Sequence, residues 1–566
     1  MITLNNINLS SIDLSGIDLR GVKLGVGGRG GGSGDGFPQL PGDVTRWHFG
    51  GLTNEMMAAM DDPRIEDADH KGRFLSFKNF AWKGMSGVGG YVVDIDEWGT
   101  NSTAAYYERN SIKITATFKE NASLGLLYHN IKLRQSCVLK VTGIPEGCDA
   151  FLDDRLGNRF YMSEDGVYEI IPSNFLAEAL YLSIEKYPER WYGSKLTIEQ
   201  LPLYPGFILS DGVDDFAVTE KELNFEDTYT VYTAFIPFQN NPANNMVLCG
   251  KNHLKDFYIT YSDLNRITFY SAEKLVFESL SKGFNILCCK RTPDKMVIKN
   301  LITDKSSEIL ANDLIDNPGL YYLWKSAVFA NYAKAAIAGQ IIDNGHFTTD
   351  EDDEKVLDWY KKQYPWLFPD QAWTTVGKTN EDEDRATIAN ITGNRNDLVL
   401  SNFGFAEGSG YNEEGEYAGY LVTDGVDDQM NSSNFDLGKD FTIIGEWKFM
   451  NNIIANAGIS KALSLFVYNT DNGLRVFINN TTKGPVLNTK TLKAICSDGR
   501  VYSDDWSEMI INEEQPITSS KSSLLIGING NNFAKIALKN LAIYNQILSK
   551  DDCIKAYSYL QTLKAK

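Results

Sequence analysis

Cysteine, histidine and positive charge are all scarce in this chain, and each shortage closes off a class of explanation. Seven cysteines in 566 residues, odd in number and without paired spacings, argue against the disulfide framework of small secreted domains. Cys288 and Cys289 are adjacent within an apolar run, Phe284 to Cys289, which predicts a buried strand. His48, His70, His129, His253 and His346 stand alone, without the i, i+4 or Cys-x-x-Cys spacings that zinc requires. No stretch reaches the roughly 18 apolar residues of a membrane-spanning helix. Met1 to Leu24 lacks the basic start and continuous apolar core of a secretory signal, so assembly in a cytoplasm without membrane insertion is expected. Basic residues number 54 against 74 acidic, a net charge of -20, which repels phosphates and argues against nucleic acid or an anionic membrane as partner. Phosphate-loop and Gly-x-Ser-x-Gly patterns are missing too. Ser86-Gly87-Val88-Gly89-Gly90 has the glycines of a nucleotide fingerprint without its Gly-Lys-Ser ending, and a turn is expected there.

What the chain does have is repetition. Asp211-Gly212-Val213-Asp214-Asp215 recurs as Asp424-Gly425-Val426-Asp427-Asp428, each copy between apolar runs. The pattern predicts strand, tight turn, strand, with Gly212 and Gly425 at positive φ and Asp211, Asp215, Asp424 and Asp428 closing the turns through their side chains. Ala333-Lys334-Ala335-Ala336-Ile337 aligns on Ala534-Lys535-Ile536-Ala537-Leu538 at an offset of 201, and the same register carries Asp350 onto Asp551. In both copies a hydroxyl residue and an acid, Thr348 with Asp350 and Ser549 with Asp551, open a helical stretch. A third match, Asn79-Phe80-Ala81-Trp82 with Ser86-Gly87 against Asn402-Phe403-Gly404-Phe405 with Ser409-Gly410, holds an offset of 323. Two duplicated domains are the simplest reading. The Asn-Phe element precedes the Asp-Gly turn by 132 residues in the first copy (79 to 211) and 22 in the second (402 to 424), so the first copy carries an insertion the size of a small domain.

Along the chain, apolar triplets repeat every five residues at the start, placing Ile2, Leu4, Ile7, Leu9, Ile12, Leu14, Ile17 and Leu19 on one thin strip. Such a strip cannot bury itself, and it predicts an anchoring or oligomerisation segment over 1–25. A glycine-rich linker follows over 26–45. The first large β domain is expected over 46–102 and 205–349, interrupted by a small β-sandwich over 103–204 whose short runs include Ile112 to Phe118 and Leu180 to Ile184. A helical connector over 350–378, ended by Pro365, leads to a second large domain over 379–566 with a C-terminal helix, and Asn380 to Arg385 is an acidic hinge in this reading.

A β domain that opens with a strand, Asp-Gly-Val-Asp-Asp and another strand, and closes with a strand such as Ile536 to Tyr544 and a helix, resembles the concanavalin A-like or laminin G-like jelly roll. The resemblance implies a mainly β fold: two such sandwiches, the small inserted sandwich, the N-terminal anchor and few short helices. The run Gly377 to Ile388, continued by Thr392-Gly393-Asn394 and Asn402-Phe403, is similar to a segment of virion proteins from Bacteroides phages, including the crAss-like group. That similarity implies a homotrimeric tail or head fibre located in the virion, docked on other virion proteins through its N-terminus and presenting its sandwiches to host glycans.

Three chemistries compete with a structural role. Glycoside hydrolases on this fold use paired carboxylates on one strand face, and the nearest run, Val93-Asp94-Ile95-Asp96-Glu97-Trp98, departs from their Glu-x-Asp-x-x-Glu pattern at both ends. No catalytic residue is therefore assigned. Ca²⁺ is the candidate cation for the repeated acids, but it takes six to eight oxygens, and turn closure accounts for the same residues without a cofactor. Trp191, Tyr192, Trp366 and Trp373 are candidates for stacking on sugar rings, against the usual fate of aromatics in β cores.

Overall fold

The computed structural model describes residues 36–563, except 93–94, 96–103, 111, 121–126, 133–136, 171–178, 186–187, 239–245, 252–256, 264–265, 282, 312–318, 326–331, 393–395, 414–416, 451–457, 462–464, 471–472, 479–491, 504–505, 512–519, 527 and 530–531. The apolar strip Ile2 to Leu19 and residues 26–35 of the glycine-rich linker lie outside the described residues, as does Val93 to Trp98 apart from Ile95, which is buried; the linker stops short of the expected 45, because Asp43–His48 is already a strand.

Two large antiparallel sandwiches share one strand order. In the first, one sheet runs Lys305–Leu310, Lys295–Asn300, Asn285–Arg291, Tyr229–Pro237, Ala335–Asn344, Tyr204–Leu209, Gly87–Gly89, with Asp43–His48 also paired to Ala335–Asn344. Its counterpart runs Glu508–Ile510, Arg500–Ser503, Leu492–Cys496, Thr442–Phe449, Ile536–Tyr544, Leu421–Val422, Gly410–Tyr411, with Gln371–Thr374 paired to Ile536–Tyr544. The facing sheets correspond as well: Arg64–Glu66, Phe74–Lys78, Phe216–Thr219, Tyr321–Leu323 and Met246–Lys251 answer to Thr387–Ile388, Leu398–Ser401, Gln429–Ser432, Leu524–Ile526 and Gly458–Lys461. Even an irregularity recurs, since the register shifts between Ala234 and Phe235 in one central strand and between Glu446 and Trp447 in the other.

Both faces of these central strands are covered, which explains why they read as continuous apolar runs. Tyr229, Val231 and Phe235 point into the first sandwich's inner core, while Tyr232, Ala234 and Ile236 point outward, as the period of two requires. The outward residues meet the connector helix Asp350–Gln363 through Val356, Trp359 and Tyr360. Ile444, Ala542 and Tyr544 from the second sandwich, and Cys553, Ala556 and Tyr557 from the C-terminal helix Lys550–Leu560, belong to the same apolar cluster. One core thus joins the two sandwiches through the helices between them. Ser549 caps the C-terminal helix as expected. In the first copy the cap is Thr349, in a capping box with Asp352, and not Thr348, whose hydroxyl is buried against Tyr232 and Asp353.

The chain leaves the first sandwich after Gly87–Gly89 and re-enters at Tyr204–Leu209. Between them a four-stranded and a five-stranded sheet enclose Trp191, Leu139 and Ile198 in a separate core. Two local expectations change. Gly87–Gly89 is a strand rather than a turn, the turn falling at Lys83 to Ser86. Gln371–Thr374 already belongs to the second sandwich, eight residues ahead of the expected 379.

Candidate functional site

Three segments that are distant in sequence converge at the Asp-Gly turn of each sandwich. Gly212 has φ 79° and Gly425 φ 78°, the left-handed region that glycine adopts without penalty. A Cβ on either would also approach the lysine of the other duplicated segment, at 2.9 Å from Lys334 Cβ and 3.2 Å from Lys535 Cβ. Asp211 Oδ1 accepts from the Val213 amide at 2.7 Å, as Asp424 Oδ1 does from Val426 at 2.7 Å. Asp215 Oδ2 accepts from the Asp211 amide at 3.0 Å, and Asp428 Oδ2 from Asp424 at 2.7 Å. The Asn-Phe element closes the other side, with Asn79 Nδ2 donating to the Asp214 carbonyl at 3.1 Å and Asn402 Nδ2 to that of Asp427 at 2.9 Å. Ser86 Oγ accepts from Ala81 and Ser409 Oγ from Gly404, at 2.9 and 2.8 Å.

Asp215 is 1% and Asp428 0% exposed. Burial pushes the Asp215 carboxyl up to about 6, against the pull of the Asp211 amide and the Ser86 hydroxyl. Asp428 is raised for the same reason, with Ser409 and the Asp424 amide opposing. Each trio of acids brings one oxygen per residue within 4.8 Å of the others. In both trios, though, oxygens of the first and last acids already accept backbone N–H bonds within the turn. The geometry is that of a turn closed by its own side chains.

A fourth segment completes each clasp, and its clamping role was not read from the sequence. Asn54 Oδ1 accepts from the Val88 amide at 2.7 Å and its Nδ2 donates to the Val88 carbonyl at 3.2 Å. Asn380 holds Tyr411 in the same way, at 2.8 and 2.9 Å. Glycine beside each held residue is required, because a Cβ on Gly87 or Gly410 would lie 2.5 Å from Asn54 Oδ1 or Asn380 Oδ1. The signal was present: Trp47-x-x-x-Gly51-x-Thr53-Asn54-Glu55 recurs as Trp373-x-x-x-Gly377-x-Thr379-Asn380-Glu381 at an offset of 326. Asn380 therefore belongs to a built-in clamp, and not to a hinge.

The remaining candidates are dispersed. Trp191, Trp366 and Trp373 are all buried and so unavailable for stacking on a sugar, while Tyr192 is half-buried. One carboxylate deserves contrast with a catalytic pair: Glu446 lies on the outward sheet face, accepting from the Tyr420 hydroxyl and 3.2 Å from Lys539 Nζ. Burial alone would raise its pKa, but Lys539, Lys493 and Lys448 hold it well below the usual carboxylate range. Its charge is thus countered by ammonium groups, whereas an acid catalyst needs a carboxyl that keeps its proton.

No protein-family model and no curated protein matches the chain. Among solved structures it is similar to the ligand-binding domain of botulinum neurotoxin serotype D in complex with N-acetylneuraminic acid (8% identity, 61% of this chain and 88% of that chain covered, TM-score 0.27). It is also similar to Trypanosoma rangeli sialidase (9%, 87% and 92%, TM-score 0.25) and to the Ca²⁺/Man3GlcNAc-bound VIP36 exoplasmic/lumenal domain (9%, 26% and 85%, TM-score 0.18). At such scores the likeness carries no argument about activity, and the architecture rests on the chain's own sheets.

Proposed function

We propose that this chain is a non-enzymatic structural protein of a phage virion, a tail or head fibre that meets host surface glycans or neighbouring virion proteins through its sandwiches. The observation that carries the reading is that the residues repeated between the two sandwiches serve to hold the chain: the Asp, Asn, Ser and Gly positions form turn and strand clasps. What was copied is a scaffold. The resemblance of Gly377 to Ile388 to phage virion proteins supports the assignment, as do the five-residue repeats and glycine-rich stretch ahead of the sandwiches, which suit an anchor with reach.

Immunogold labelling of purified virions with antibody to this protein tests the reading. Label on an appendage is expected, and virions free of the protein would overturn it. Light scattering on the full chain should give three times the mass of one copy. Shortening of host capsular glycan by the purified protein would replace the fibre with a polysaccharide-degrading spike.

A further inference from the structure

A cavity of about 540 Å³ opens where the inserted sandwich, the strand returning from it and the C-terminal helix of the second sandwich meet. This is within the range of small-molecule sites, and a junction between domains is where such sites tend to form. Its apolar wall includes Val167, Leu201, Pro202 and Ile554. Trp506 and Ser558 line it, on side chains 2% and 1% exposed, and each carries a buried donor, Nε1 and Oγ, with no hydrogen-bond partner among the described residues. A buried donor without an acceptor is costly, so a ligand that supplies acceptors gains from filling this space.

Charge narrows the ligand further. In a chain of net charge -20, three ammonium groups, those of Lys140, Lys550 and Lys555, gather on this one cavity. The acids that share it are Asp165 and Asp551. Asp165 Oδ1 is bonded to the Gly143 and Ile144 amides at 2.6 and 2.8 Å. Lys555 is paired with Asp552 at 3.2 Å, so two exposed cations, Lys140 and Lys550, stand at this cavity against the exposed acid Asp551 and the amide-bonded Asp165.

We propose that this cleft binds a small carboxylated sugar, its carboxylate between Lys140 and Lys550, its hydroxyl oxygens accepting from Trp506 and Ser558, and its ring against the apolar wall. The inference rests on the glycan-contact part of the proposed function and adds the site and the ligand class. Calorimetric titration of the full chain with a hexuronate disaccharide and with the neutral disaccharide cellobiose tests it. The acidic sugar should bind at least about tenfold more tightly, as expected for charge-assisted bonds, and raising the salt should narrow the gap. The double variant Lys140→Ala/Lys550→Ala should bring the acidic sugar down to the neutral one. Trp506→Phe, which keeps a ring and removes the donor, should weaken binding severalfold; if it fails to fold, the two exposed lysines still decide the matter.

Equal affinity for the two sugars, acidic binding indifferent to the lysine variant, or no binding of either would each overturn the cleft. Acidic-sugar binding that ignores the lysine variant removes the cleft and leaves glycan contact elsewhere on the sandwiches. Virions lacking the protein would remove the fibre assignment and leave a positive titration standing.

Discussion

The two sandwiches share the strand order of the sheets that carry Tyr229–Pro237 and Thr442–Phe449, yet they differ in what crosses from one strand to the next and in what lies on the outward face. Between Gly87–Gly89 and Tyr204–Leu209 the first admits a whole sandwich, where the second passes from Gly410–Tyr411 to Leu421–Val422 within one short loop. On the outward face, the residue before the shared register shift is Ala234 in the first and Glu446 in the second. The first face is braced by a buried pair between sheet and connector helix, Lys290 of the strand Asn285–Arg291 with Asp353 of the helix at 2.7 Å, joined by the Tyr232 hydroxyl at 2.8 Å. The second carries Glu446 with Lys539. Loops and outward faces have diverged while the main bonds of the clasp at the Asp-Gly turn recur in both copies, so the clasp is the part the two sandwiches keep in common.

Breaking the bracing on one side should have the largest effect. Asp353→Ala leaves Lys290, 5% exposed, without its counter-charge and should cost about 3–5 kcal/mol. Urea unfolding followed by probes in each half should report the loss in the first sandwich. Next come the turn glycines, where Gly212→Ala and Gly425→Ala force a side chain into the left-handed region at about 1–2 kcal/mol each. The first should cost more, since its added Cβ lies 2.9 Å rather than 3.2 Å from the facing lysine.

The pH response should separate the copies further. The folded-state pKa of Asp215 lies at about 6, above its ordinary 3.8, so the native state takes up a proton that the unfolded chain releases between these values. This carboxyl's contribution to stability therefore grows as pH falls from about 6 towards 3.8 and is lost as pH rises through 6. Asp215→Asn should flatten the difference in denaturation midpoint between pH 4.5 and 7, and Asp428→Asn should flatten it less. The smallest effect belongs to Asn79→Gly and Asn402→Gly, which keep the left-handed backbone of these positions, φ 68° and 69°, and remove one bond to a turn carbonyl for about 1 kcal/mol, equal in the two copies by thermal melting.

Much of this was legible from residue spacing. The offsets of 201 and 323 and the repeated pentapeptide located two copies, the insertion and the glycine turns, because turn chemistry fixes residue types at fixed intervals. What escaped has physical reasons. Asn54 and Asn380 act through their amide groups on a strand elsewhere in the sequence, and a buried side-chain clamp leaves no periodicity. The acids after Asn380 drew attention to solvated charge instead, although Thr379 and Lys378 tie Asp382 and Asp384 back to the turn. Likewise Trp506 and Ser558 become neighbours of Lys140 only through the packing of the inserted sandwich against the last helix, which no local pattern encodes.

Hydrogen exchange at the Val88 and Tyr411 amides tests most directly whether one clasp was built twice. If each asparagine clamps its own sandwich, Asn54→Ala should speed exchange at Val88 and leave Tyr411 protected, and Asn380→Ala should do the reverse. Unchanged protection at both amides, or a loss in the opposite sandwich, would contradict a duplicated and locally acting clasp.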